Sequence, residues 1–147
     1  MASFAELSEL VGVLNEKDRE TSKVLNCVES KLAGMDLNLE SWLMSDPLVS
    51  EPAMIEGVPH QIDQVIGFGL HNGRHALLVK EVVHAREEGW ESKGVQSHGP
   101  ARLLREAPRE LRFRSIGKMD ALVDSLTVRA RSIIEAFDAG RKEQRHC

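Results

Sequence analysis

The six histidines are the residues of this sequence that most readily suggest metal or acid–base chemistry. Two of them, His71 and His75, flank an Asn-Gly pair typical of a tight turn. One metal ion would need both imidazole rings on the same side of a sheet. The predicted hairpin pairs His71 with Arg74 and Leu70 with His75, so the two rings lie on opposite faces. We therefore expect no metal site and no cofactor.

Motifs for nucleophilic catalysis are missing from the sequence. It contains no Gly-x-Ser-x-Gly, His-Glu-x-x-His or Cys-x-x-Cys pattern, and its two cysteines do not make a disulfide framework. Two glycines, Gly67 and Gly69, resemble part of a phosphate loop, but they lie inside a predicted strand, where glycine indicates close approach of other chain segments. We expect a protein that is not an enzyme. An enzyme would have to use the polar residues of that strand face, which are His71, Arg74 and Lys80.

A basic stretch from Arg102 to Lys118 holds six cations and two acids and could bind anions. Arginine is suited to bidentate contact with phosphate or carboxylate, so one interpretation is a nucleic-acid or anionic-ligand site. The alternative is that these arginines pair with acidic residues of the first helix. The charge distribution favours pairing. Residues 1–73 carry 4 Lys/Arg and 12 Asp/Glu, net −8, whereas residues 74–147 carry 15 and 11, net +4.

Apolar residues alternate with these arginines, and a tryptophan lies in the loop that precedes them. Arginine and aromatic residues are enriched in protein interfaces. We therefore predict a partner-binding surface formed by Trp90, Leu103, Arg105, Arg109, Arg112 and Phe113. The alternative is that the apolar members of this set cover the sheet or the helices.

The elements that position these residues begin with a long helix predicted over residues 4–33. Its apolar residues recur alternately at three and four positions, as in a heptad seam, with a polar layer at Asp18 and Thr21. Ser3 and Glu6 form a predicted capping box. The residues that we assign to contact with another helix or a second copy are Leu7, Val11, Leu14, Leu25 and Val28. Such a helix is about 45 Å long at ~1.5 Å per residue, more than a small core needs, so we expect a homodimer or a higher oligomer.

A three-stranded antiparallel sheet is predicted over residues 37–83. Alternation over residues 37–43 predicts the first strand. Asn72-Gly73 predicts a type I′ turn between the second and third strands. The resulting register pairs Phe68 with Leu77 and Ile66 with Val79.

Loops and C-terminal helices complete the predicted chain. Three prolines make residues 46–59 a predicted loop, and three glycines make residues 86–100 a predicted mobile loop. Two helices over residues 108–139, separated at Gly117, end the chain. The predicted fold class is therefore α+β, a single domain in which the sheet packs against a long N-terminal helix and a C-terminal helix. We expect its aromatic core anchors to be Trp42, Phe68, Phe113 and Phe137.

Composition limits the possible functions. The chain has 147 residues, 41% hydrophobic and 29% charged, as in soluble globular proteins. No apolar run approaches the ~18 residues that span a bilayer, and the N-terminus lacks the pattern of a secretory signal, so we predict a cytoplasmic protein. The predicted function is an interaction or adaptor module that binds another protein as a homodimer. The alternative is binding of nucleic acid or an anionic ligand through Arg102–Lys118.

Overall fold

A computed structural model describes residues 3–86 and 92–144. Within these residues the chain forms three helices and one antiparallel sheet of six strands. In chain order the elements are α1 (Phe4–Gly34), β1 (Ser41–Trp42), β2 (Val49–Ile55), β3 (Val58–His71), β4 (Arg74–Arg86), β5 (Ser92–His98), β6 (Arg102–Leu103), α2 (Arg109–Ile116) and α3 (Met119–Glu143). The α+β class agrees with the prediction, but the sheet has six strands where the sequence predicted three.

The two central strands, β3 and β4, form the predicted hairpin. Their register pairs His71 with Arg74 and Phe68 with Leu77, as expected. Asn72 and Gly73 have positive φ angles of 50° and 83°, which a type I′ turn requires. Strands β1 and β2 pair with β3 along one edge of the hairpin, and β5 and β6 pair with β4 along the other.

Two predicted loops contain strands instead. Residues 46–59 include β2, because an edge strand tolerates a proline and Pro52 lies opposite Gln61 at that edge. The link from β2 to β3 is a tight turn at Glu56 and Gly57, which have positive φ angles of 52° and 78°. Residues 86–100 include β5, whose register with β4 shifts twice. Such bulges remove the period-two pattern by which a strand is recognised in sequence.

The first predicted strand, residues 37–43, is mostly irregular. Only Ser41 and Trp42 pair with β3. Asp36 and Asn38 adopt left-handed φ angles of 52° and 49°, which interrupt an extended chain. The alternating leucines of this segment nevertheless pack against the core, which explains the misleading pattern.

The core lies between one face of the central hairpin and parts of all three helices. Its buried members include Leu25, Leu32, Phe68, Leu77, Leu104, Leu111, Met119, Leu122 and Leu126. Phe68 is fully buried as predicted, and Phe113 and Trp42 are half-buried. Phe137 was predicted in the core but is 69% exposed, because α3 continues past the sheet.

Candidate functional site

The arginines of the basic stretch contact α1. Both terminal nitrogens of Arg112 donate hydrogen bonds to the carboxylate of Asp18, and Arg109 Nε lies 3.2 Å from Asp18 Oδ2. Arg105 Nη1 lies 3.7 Å from Glu29 Oε1. These contacts join α2 and the turn before it to the middle of α1. The interpretation that the arginines pair with the acidic first helix is therefore confirmed for these three residues.

Each cation of this stretch has an acceptor within the chain. The hydrogen bond from Arg112, with the charges of both arginines, holds the pKa of Asp18 below its ordinary value, against the opposing effect of desolvation. The other three cations also have acceptors: Arg102 donates to Gln64, Arg114 to Glu110, and Lys118 to Asp46. A polyanion would have to compete with these contacts, which weakens the nucleic-acid hypothesis.

Of the six residues predicted to bind a partner, five lie in the described part of the chain. Arg105, Arg109 and Arg112 lie beside α1, as described above. Leu103 is half-buried in β6, where it pairs with Leu78 of β4. Phe113 is half-buried on α2. Trp90 lies outside the described residues. A role for this set in binding a partner remains a prediction.

The seam of α1 divides into two halves with different surroundings. In the C-terminal half, Leu25 and Leu32 are buried against the sheet and Val28 is half-buried. In the N-terminal half, the apolar residues are exposed, although they continue the same spacing. These uncovered residues are Phe4, Leu7, Leu10, Val11, Val13 and Leu14. The N-terminal half of α1 thus presents a stripe with no cover in the described part of the chain.

A groove runs between the C-terminal half of α1 and α3, and we call it the α1–α3 groove. It encloses roughly 430 Å³. Nearly all of its lining is apolar and comes from Val28, Lys31, Leu32, Met35, Leu37, Val123, Leu126, Thr127 and Ala130. Ile134 and Phe137 follow Ala130 at helical spacing and are exposed, so they extend the α3 side of this groove.

The second face of the hairpin is filled by the segment around β1. A Cβ atom on Gly67 would lie 2.5 Å from the indole of Trp42, and one on Gly69 would lie 2.9 Å from the side chain of Glu40. The interpretation of these glycines as packing residues is therefore confirmed. Lys80 Nζ lies 4.1 Å from the centre of the Trp42 ring, and burial lowers the pKa of Lys80, opposed by the charge of Glu40. The strand face proposed for a catalytic site is thus occupied near Lys80.

A buried polar network lies at the end of the hairpin far from the Asn-Gly turn. His84 Nε2 lies 3.0 Å from Asp63 Oδ2, and Gln61 donates to the other oxygen of Asp63 at 2.7 Å. Gln61 also donates to Ser50 of β2. This network was not predicted from the sequence. Its members lie on β2, β3 and β4, and only the pairing of these three strands along their full length brings them together.

Comparisons with known proteins add no functional assignment. The chain matches no protein-family model, no curated protein and no solved structure. Over residues 3–86 and 92–144, no helix is long and apolar enough to cross a membrane. The same residues contain no group of three or more His, Cys, Asp or Glu side chains that could hold a metal ion.

Proposed function

We propose that this protein is an interaction module that binds other protein chains through its long helices, the first partner being a second copy of itself. The observation that carries this proposal is the uncovered apolar stripe on the N-terminal half of α1. Phe4 in this stripe is 91% exposed, and Leu7 and Leu14 are 55% and 41% exposed. Contiguous apolar surface of this kind typically marks a binding site.

The energetics support association of this stripe with another surface. Complete burial of one leucine or phenylalanine side chain contributes about 1.5–3 kcal/mol. Four or five such residues could offset the several kcal/mol that association costs in lost translational and rotational freedom. The spacing of Leu7, Val11 and Leu14 is that of helix-in-groove or helix–helix contacts, in which positions i, i+4 and i+7 form the anchors.

The test is the mass of the intact protein in solution, measured by light scattering at micromolar concentration. We expect the native chain to have the mass of two copies. The substitutions Leu7→Glu and Leu14→Glu together place charge in the stripe and should reduce the mass to one copy. The matched control, Ala5→Glu with Gly12→Glu, adds the same charge at the same spacing on the outer face of α1 and should leave the dimer intact.

Two results would contradict the proposal. One is a native chain with the mass of a single copy, 16.4 kDa, throughout the micromolar range. The other is a dimer that the control variant weakens as much as the stripe variant does. Circular dichroism of each variant would show whether its helices are retained.

A further inference from the structure

We infer that two copies pair with their α1 helices antiparallel, so that the N-terminal half of each α1 lies in the α1–α3 groove of the other copy. This inference rests on the proposed homodimer and specifies its geometry. It commits the groove to one occupant, residues 4–14 of a second chain.

The groove and the stripe match in length. The groove is lined over about two turns of each helix, between Val28 and Met35 on α1 and between Val123 and Ala130 on α3. Two turns accommodate anchors at positions i, i+4 and i+7, which Leu7, Val11 and Leu14 supply. Each of these three side chains is at least 41% exposed within one copy.

The charges of the two surfaces are complementary. The occupant segment, residues 4–14, contains two glutamates, Glu6 and Glu9, and no lysine or arginine. The lining of the groove contains one charged residue, Lys31, and no acid. Antiparallel pairing places the acidic segment next to this cation. Parallel pairing of the two N-terminal halves would instead bring two acidic segments together, which is unfavourable.

The surfaces are also continuous along both helices. In an antiparallel pair, the N-terminus of one α1 lies near the C-terminal end of the other, where Gly34 ends the helix. Beyond that point, Ile134 and Phe137 extend the α3 side of the groove. They would cover Phe4, the most exposed apolar residue of α1. The same contact is made twice around a two-fold axis, so the assembly closes as a dimer.

The test is disulfide trapping between copies. Both native cysteines are first replaced, by Cys27→Ser and Cys147→Ser. One preparation then carries Leu7→Cys and a second carries Ala130→Cys, and the two are mixed before mild oxidation. We expect a covalent Leu7–Ala130 dimer from this mixture and no covalent dimer from either preparation oxidised alone. The control mixture contains Val128→Cys in place of Ala130→Cys. Val128 is exposed on α3 but does not line the groove, so this mixture should give several-fold less covalent dimer.

The outcomes separate the inference from the proposed function. A native chain that is a single copy in solution overturns both. A native dimer in which Leu7→Cys oxidised alone cross-links to itself, while the mixture gives no Leu7–Ala130 product, overturns only the antiparallel geometry. Equal cross-linking of Leu7→Cys to Val128→Cys and to Ala130→Cys also overturns only the antiparallel geometry.

A second experiment keeps the geometry testable if a cysteine variant fails to fold. Glu9→Lys and Lys31→Glu should each raise the dimer dissociation constant by about threefold, the size expected for exposed ion pairs. Combining them restores opposite charges and should return the constant close to the native value. If the dissociation constant of the combined variant is instead raised by the product of the two single effects, the antiparallel arrangement is contradicted.

Discussion

Individual side chains connect the helices to the sheet. Glu29 is an example, because its Oε2 accepts a hydrogen bond from the backbone N–H of Leu77 at 2.9 Å. Strand β6 reaches only as far as the pair Leu78–Leu103, so Glu29 satisfies the edge of β4 where that strand is missing. The same carboxylate faces Arg105. One residue thus fixes α1 against both the sheet and the turn that leads to α2.

Gly67 offers a residue-scale prediction, because the Trp42 indole occupies the space beside it. Gly67→Ala should destabilise the fold by about 1–3 kcal/mol, since the new methyl group overlaps a rigid ring and the carbonyl oxygen of Ser41. The free energy of unfolding in urea measures this effect. Gly69→Ala is the matched control and should cost less, because its neighbour, the Glu40 side chain, is flexible. Equal losses at both positions would contradict this account of the packing.

Elements that depend on local chemistry were predicted correctly from the sequence, whereas strands that depend on distant pairing were not. The ends of α1, the Asn-Gly turn and the break at Gly117 depend on local chemistry, and the structure places all three where the sequence predicted them. Strands β2 and β5 depend on pairing with distant residues of β3 and β4, so their proline, glycine and bulge positions resembled loops.

The candidate surface was less predictable than the fold. The seam of α1 was visible as a pattern, but the pattern alone did not show which half the sheet covers. The arginines of the basic stretch carried a strong signal, yet their acceptors, Asp18 and Glu29, lie between 76 and 94 residues away and could be named only in three dimensions. The α1–α3 groove depends on how two helices meet, which no local spacing specifies.

The division of α1 gives a prediction at the scale of an element. Leu25→Ala, in the buried half, should reduce the free energy of unfolding by about 2–5 kcal/mol at any protein concentration, because it opens a cavity in the core. Leu7→Ala, in the uncovered half, should have an effect that depends on concentration, because it acts through association. Urea denaturation at several protein concentrations separates the two. A concentration-independent loss of similar size for Leu7→Ala would show that residue 7 is part of the monomer core.

Across the whole molecule, the two faces of the central hairpin are used differently. One face is covered by the helices, and the other is filled by Trp42, Glu40 and the polar network around Asp63. Part of the charge asymmetry of the sequence is satisfied inside the chain, where Arg105, Arg109 and Arg112 of the basic stretch meet Asp18 and Glu29 of α1. The uncovered surfaces include apolar residues of the N-terminal half of α1 and, on the C-terminal half of α3, Ile133, Ile134 and Phe137. Self-association through these two regions would remove both from water.

The C-terminal half of α3 therefore supplies a prediction at the scale of the assembly. Ile134 and Phe137 are 59% and 69% exposed in one copy and make no part of the core cluster. Replacing both with serine should leave the unfolding free energy of the separated chain within about 0.5 kcal/mol of native. It should raise the dimer dissociation constant by about tenfold or more, as expected if each side chain is even partly buried on association. Analytical ultracentrifugation over a dilution series measures that constant. Val128→Ser, on α3 but outside the groove, should leave it unchanged, and an unaltered constant for the double variant would exclude α3 from the interface.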